Sequence, residues 1–461
     1  MRNECFGLRE KLLFKTSVSN FSEEWENVRV QYAKEYENAM EQRKKEIIAI
    51  LSELSIDMQS YLLRWNLQKP DNSEYLSWDI INDEANKNYN LLTSWGAKDK
   101  VEYIKAEVTD IKKSNLTKLS YMSDKNEINT RWGNDYASGL TRAIRRGGIL
   151  VTTNPPLINM DRKNNPEVWA QRLEELKAAN SGISSDKLVS LLTMKVVLEN
   201  CKELRPIFEA SEEKFGYVSL QINPKNYNDA VKMAEEIEFL YEELKKELNG
   251  TPNVVFKVPG TKASLDTVKR VTAKGIGVNI TVSFSVDQHL AFAEVIEQGN
   301  AKVSFVVMMN GRLDDPIRDE LQEIGLPDAQ EVAKWGSTAI IRRSYDLLYR
   351  KNKYKKSAIL TASLRGPWNI DASITDGEIP IFITSFPDKA EEYDSEKREI
   401  VSHIDEEIPA EILEKLMKSK LFKQAYEVGG LTVDGFDAYK PVIVTLDGFI
   451  KVYEELVEYT R

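Results

Sequence analysis

Lys257 is placed where a lysine is costly. It lies in the run Val254-Val255-Phe256-Lys257-Val258, apolar on both sides, and an ammonium in such surroundings must find a partner or give up its proton. An amine depressed in this way attacks carbonyl carbon, passing through a carbinolamine to a Schiff base. The plain alternative is a strand-end lysine whose stem carries its head to water. Polar groups at matching points of neighbouring runs favour the chemistry. Asp135 closes Trp132-Gly133-Asn134-Asp135, Asn154 precedes Pro155 and Pro156, and Gln221 lies in YVSLQINP. Asn279 and Thr281, two apart in GVNITVSFS, share one face of a strand. Arg312 and Arg365 each follow a further run.

Each of these residues has a chemical use and an ordinary one. Asp135 can move the protons that Schiff-base chemistry requires, or it can cap the helix YASGLTRAIRRG. Asp124, in LSYMSDKNE, is a rival carboxylate that reads as part of the preceding loop. Asn154 is a substrate contact or a turn former. Gln221 and Asn279 fall within strands, where an amide calls for a specific hydrogen-bond partner. Arg312 and Arg365 present the fork that suits phosphate or sulfonate, although Asp314 and Asp315 stand ready to neutralise Arg312. Lys262 is an anion contact or a solvated loop residue. His289 reads as packing, and the basic run Arg350, Lys351, Lys353, Lys355, Lys356 reads as a solvated connection at the far end from the site.

These groups need elements that bring them together. From about residue 128, eight β-type runs end at Asp135, Pro155, Pro224, Gly260, Ser285, Met309, Arg365 and Phe386. Amphipathic segments such as YNDAVKMAEEIEFLYEELKKEL and TAIIRRSYDLLYRK separate them. This α/β alternation fits a parallel (β/α)₈ TIM barrel, in which chemistry gathers at the C-terminal ends of the strands. An open doubly wound sheet is the alternative, but no G-x-G-x-x-G or G-x-x-x-x-G-K-[ST] follows any run. Residues 1–115 read as a helical N-terminal extension, 116–395 as the barrel and 396–461 as a C-terminal helical segment packing on the barrel or a neighbouring subunit. Four of the eight tryptophans (Trp25, Trp65, Trp78, Trp95) fall in the extension, which suggests packing against the barrel or another copy.

Composition narrows the chemistry. In 461 residues there are 63 Lys and Arg against 73 Asp and Glu, a formal net charge of −10, and 30% of residues are charged. That balance disfavours a coat for nucleic acid or anionic membrane. Two cysteines (Cys5, Cys201) and two histidines (His289, His403) disfavour disulfide frameworks, multi-histidine metal sites and His-based triads. The start, MRNECFGLREKLLF, lacks a signal-peptide core, and no run is long enough to span a bilayer, so a cytoplasmic location is expected.

Taken in order, VTTNPPLI, GYVSLQINP, NVVFKVPGTKAS, GIGVNITVSFSVDQHLAFAE and MNGRLDD resemble the successive strand motifs of the transaldolase family. TRWGNDYASGLTRAIRRGGILVTTNP and KWGSTAIIRRSYDLLYR resemble its long bacterial branch. The resemblance covers about residues 128–390. It implies a class I enzyme of carbohydrate metabolism in the pentose phosphate pathway, with a Schiff-base lysine on the fourth strand and no metal or organic cofactor. Lys257 matches that lysine and Asp135 the first-strand acid/base aspartate. Asn154, Asn279 and Thr281 match the residues that hold dihydroxyacetone hydroxyls and a catalytic water, and Arg312 and Arg365 match the phosphate pair. The implied activity transfers a dihydroxyacetone unit from a ketose phosphate to an aldose phosphate.

Two positions depart from the family pattern. Gln221 stands where transaldolases carry a glutamate, and a glutamine orients water without exchanging a proton. The fructose-6-phosphate aldolase branch shares that glutamine but has a tyrosine on the sixth strand, where this chain has Met309 and transaldolases have phenylalanine. A class I aldolase releasing dihydroxyacetone is therefore an alternative, and a non-catalytic sugar-phosphate-binding protein is a third. Phosphorylated or sulfonated sugars are the implied partners, and homo-oligomerisation is left open.

Overall fold

Eight short apolar runs become eight parallel strands in a computed structural model that describes residues 2–69 and 74–461. The strands are β1 (Thr130–Asn134), β2 (Leu150–Thr152), β3 (Tyr217–Gln221), β4 (Val254–Pro259), β5 (Gly277–Thr281), β6 (Phe305–Met309), β7 (Ala358–Ala362) and β8 (Ile381–Ser385). They close in sequence order, β8 pairing back to β1. Helices run between them, as parallel pairing demands. This is the TIM barrel expected from the alternation.

The register sorts side chains into two layers. Near the strand starts the interior is aromatic: the rings of Phe305 and Phe382 meet edge to face at 4.9 Å. Phe215 lies 6.4 Å from Phe382 and carries the Arg131 guanidinium over its face at 5.0 Å. Near the strand ends the interior turns polar, as the site below shows. The aromatic layer closes one end of the barrel, so access to the polar layer is from the other.

Before the barrel run helices including Arg2–Arg9, Phe21–Asn38, Glu41–Asp57, Trp78–Ser94 and Lys98–Lys113. An ion cluster fastens them to it. The fully buried Asp57 accepts 2.7 Å hydrogen bonds from Arg9 Nε and from Arg145 Nε. Arg145 ends the helix Leu140–Arg145 that follows β1, and Arg9 also lies 3.5 Å from Glu203 in the helix Ser185–Ala210. Trp25 is fully buried, Trp65 meets Phe215 edge on at 6.1 Å, and Trp95 stacks on Tyr36 at 4.3 Å. The tryptophans thus pack the extension together and, through Trp65, pack it onto the barrel.

The sequence reading of Asp124 as a loop residue needs correction. The helix Asn115–Asp124, capped by Ser114, continues through it. Asp124 accepts from Arg131 Nη1 at 2.7 Å and from the Tyr61 hydroxyl. Arg131 is the second residue of β1, so Asp124 is a structural carboxylate at the end opposite Asp135. After β8 come Pro387–Asp394, Ala410–Leu416, Lys420–Tyr426 and Lys440–Thr460, the last of which packs over the helices Pro155–Asn164 and Ser185–Ala210. Among the described residues, no helix is long and apolar enough to cross a membrane.

Candidate active site

β3, β4 and β5 place three polar side chains abreast. Gln221 pairs with Lys257, and Lys257 with Asn279, so all three project from one face of the sheet. Lys257 is 4% exposed, and its Nζ donates to the carbonyl of Thr153 at 3.1 Å. Burial pushes the amine below the ordinary lysine value of 10.5, the Arg312 charge adds to the effect, and Asp135 opposes it. The depressed amine expected from the sequence is thus produced by the fold.

Asp135 follows the last residue of β1, its backbone N–H bonded to Ser385 O of β8 at 2.9 Å. It does not cap the following helix, whose N-cap is Gly139. Its Oδ1 instead accepts from Thr152 Oγ1 of β2 at 2.5 Å. Burial holds its carboxyl above the ordinary 3.8, against the pull of Lys257, of the Thr152 hydroxyl and of Arg312. A base made easier to deprotonate and an acid made harder to deprotonate face each other electrostatically across the barrel mouth. Proton exchange between them costs less than between the same groups in water.

The amides are only partly satisfied. Asn279 Nδ2 donates to Ser219 Oγ at 2.9 Å, but its buried Oδ1 has no partner among the described residues. Gln221 ends β3, and its buried Oε1 is likewise unmatched, contrary to the specific partner expected from the sequence. Two orphaned acceptors flanking a lysine suit hydroxyl groups or water. Asn154 caps the helix Pro155–Asn164, accepting from Leu157 N at 3.0 Å, so its ordinary role is realised and only its amide nitrogen is left for a ligand.

Thr281 Oγ1 lies 3.5 Å from Met309 Sδ, and the N–H of Val282 also points to that sulfur at 3.3 Å. Val282 has φ of 53°, strained for a β-branched residue. The buried Gln288 helps to hold this bend through its Nε2, which bonds Gly260 O at 2.7 Å and Val282 O at 3.3 Å.

The two arginines differ. Neither neighbouring aspartate neutralises Arg312. Its helix, Asn310–Glu323, turns Asp314 toward Ser337, whose N–H and hydroxyl donate at 2.7 and 2.8 Å. Arg312 lies over the Phe449 ring at 5.3 Å. Burial and then the Arg365 charge push it below its usual value, as expected for an anion receptor awaiting its anion. Arg365 is exposed and already paired: Asp315 Oδ2 accepts from its Nε and Nη2 at 3.1 and 2.7 Å. Its guanidinium crosses Gly311 so closely that a Cβ there would lie 2.2 Å from Cζ.

The remaining candidates fall away from this group. Lys262 is tied to Asp434 at 2.6 Å. His289 is fully buried between Ser344 Oγ and Val307 O, its pKa pushed down by burial to about 4. The basic run precedes β7, with Lys355 and Lys356 N–H groups on Glu297. Among the described residues no three His, Cys, Asp or Glu side chains form a metal-holding group.

Sequence reasoning missed the supporting hydroxyls Thr152 and Ser219 and the ring of Phe449. The first two were within reach: each precedes a candidate (Asn154, Gln221) by two residues in a strand-like run and shares its face. Phe449 joins the site by tertiary packing alone and carried no local signal.

Comparison with known proteins agrees with this geometry. The family model for Transaldolase/Fructose-6-phosphate aldolase matches residues 139–430, taking in every candidate side chain except Asp135. The chain is 25% identical over 255 residues to a transaldolase of Parafrankia sp., covering 52% of this chain and 67% of that one. It is 26% identical over 313 residues to a transaldolase of Helicobacter pylori, covering 62% and 92%. A match at 32% to transaldolase 2 of Nostoc sp. spans 33% of this chain and 38% of that protein. The chain thus spans from 38% to 92% of the length of these relatives. With eight strands in order, a lysine on the fourth and a family match over more than half its length, the chain belongs to the transaldolase/fructose-6-phosphate aldolase family.

Proposed function

We propose that this protein transfers a dihydroxyacetone unit from a ketose phosphate to an aldose phosphate through a Schiff base on Lys257. The observation carrying this reading is the buried amine of Lys257, its pKa lowered by burial, within electrostatic reach of the buried Asp135 carboxyl, whose pKa burial raises. Lys257 attacks the ketose carbonyl carbon, and loss of water gives the iminium. Asp135, as carboxylate, takes the proton of the carbon-4 hydroxyl. The carbon 3–carbon 4 bond then breaks, its electron pair moving into the iminium to leave an enamine, and an aldose phosphate departs. A second aldose phosphate enters, the enamine carbon attacks its aldehyde, and Asp135 returns the proton to the new alkoxide. Asn154, Asn279 and Gln221 bind the hydroxyls of the three-carbon unit. Thr281 with Gln221 positions the water of iminium formation and hydrolysis, and Arg312 takes the phosphate. Arg365 joins Arg312 by exchanging its Asp315 partner for the ligand.

A second reading, release of free dihydroxyacetone after protonation of the enamine, is raised by Gln221, the residue that the fructose-6-phosphate aldolase branch carries at this place. Borohydride reduction in the presence of fructose 6-phosphate, followed by peptide mass mapping, tests both. A three-carbon adduct on Lys257 supports the Schiff base, and its transfer to erythrose 4-phosphate separates transferase from lyase. Absence of an adduct with fructose 6-phosphate, sedoheptulose 7-phosphate and a sulfonated ketose would leave a sugar-phosphate-binding protein.

A further inference from the structure

A large open cavity, about 1040 Å³, lies outside the barrel against the helix Asn115–Asp124. It is enclosed by the extension on one side and residues 394–398 on the other. It shares no lining residue with the site around Lys257, and of the segments that follow strands only residues 394–398 reach it. Its wall is basic in an acidic protein: seven Lys and Arg side chains stand against three carboxylates, in a chain of net charge −10. Lys112, Lys113, Lys118, Lys125 and Lys397 have no carboxylate partner among the described residues.

Arg64, with a side chain 8% exposed, backs the same wall. Its Nη1 donates to Gln68 O at 2.7 Å, while Nε and Nη2 are sealed from solvent without an acceptor. Asp124, 3.6 Å away, already accepts from Arg131 and Tyr61. A buried guanidinium so incompletely matched adds positive potential behind the wall, which favours an anion in the cavity. Four aromatic side chains, Tyr61, Tyr75, Trp78 and Tyr121, share the wall with small polar groups, Lys112 lying over the Trp78 ring at 5.1 Å and the Arg64 guanidinium over Tyr121 at 5.4 Å. Aromatic faces bordered by unpaired cations suit a planar ring joined to phosphates.

We infer that this cavity binds a small ligand carrying a planar ring and two or more phosphates, of the nucleoside di- or triphosphate class. Neither half suffices: phosphate alone leaves the aromatic wall unused, and an uncharged ring leaves the lysines unmatched. Titration calorimetry on the full chain tests this with ADP, inorganic pyrophosphate and adenosine as probes. ADP is expected to bind at least about tenfold more tightly than either fragment, and less tightly as salt rises. Lys118→Glu with Lys125→Glu, at exposed positions on the helix Asn115–Asp124 and its C-cap, should weaken ADP about tenfold or more. Trp78→Ala should weaken it independently, while Lys257→Ala should leave ADP affinity unchanged. No heat with ADP, equal affinity for pyrophosphate, or loss of binding in Lys257→Ala would each overturn the inference. Because Lys257→Ala removes the proposed transferase chemistry but not this cavity, failure of one reading is distinguishable from failure of the other.

Discussion

Two groups of buried charge lie in this fold, and their chemistry diverges because of their partners. Around Asp57, burial alone would raise the carboxyl, but Arg145 and Arg9 outweigh it and hold the group below 3.8. Arg9 and Arg145 are in turn raised despite burial, chiefly by Asp57. Around Lys257 the same burial is not matched by contact: the nearest recorded partner of Nζ is a neutral carbonyl, and Asp135 is bonded to a neutral hydroxyl. There the shifts run toward the uncharged forms. Paired burial holds both partners in their charged forms, whereas unpaired burial shifts them toward the neutral ones, the condition the proposed Schiff-base chemistry requires.

The sharpest way to break this contrast is at Lys257. Lys257→Met should abolish adduct formation and lower turnover by about 10⁴-fold or more, while thermal stability is unchanged or rises. Since the folded amine titrates below 10.5, it opposes folding at neutral pH, and that cost fades as pH rises toward 10.5. The stability gain of the methionine variant should therefore shrink on the alkaline side, as denaturant melts across pH would show. Asp135→Asn should lower turnover by about 10²–10⁴-fold. It should also move the amine's titration, followed by the pH dependence of reductive trapping, to lower pH, because Asp135 favours the ammonium.

Asp57→Ala should act in the opposite sense. It removes the carboxylate shared by two buried guanidiniums, leaving Arg9 only Glu203 and Arg145 only Glu53, so about 3 kcal/mol of stability is lost in equilibrium unfolding, with turnover per folded molecule retained. Asp57 is held below 3.8, so its contribution is present above that pH and is lost as pH falls through the folded value. The difference between the parent chain and Asp57→Asn should close only in that acid range. The smallest effect is expected at Arg312→Ala. KM for a phosphorylated donor should rise about 10–100-fold, and the Lys257 titration should move to higher pH, because Arg312 disfavours the ammonium.

Sequence and structure part company in an instructive place. Each strand combined an apolar run with a terminating turn, so all eight were legible, and Lys257 with them. The partner of Arg312 was not. Asp314 and Asp315 follow it closely enough to suggest a salt bridge, yet helical geometry points one at Ser337 and the other at Arg365. Asp314, two residues on, lies round the helix from Arg312, while Asp315, three on and within reach of the same face, is taken up by Arg365 from beyond the end of β7. Gln221 was expected to be satisfied because strand amides usually are. Its unmatched oxygen is explained by its place at the mouth, where ligand replaces protein. Asp124 was misplaced because Ser-Asp-Lys-Asn has the composition of a loop, while the Ser114 cap ten residues earlier set a helix running through it.

The seam between β1 and β8 has a consequence for biosynthesis. Thr130 pairs with Ile381, so a ribosome must add about 250 residues before the first strand meets its second neighbour. Asp135 lies at that seam, bonded to Ser385, so the pocket is completed only when the last strand emerges. Until then a nascent chain exposes an open strand edge. The extension, which precedes β1 and is clamped through Asp57 to the helix after it, can dock on that helix before the later strands are made.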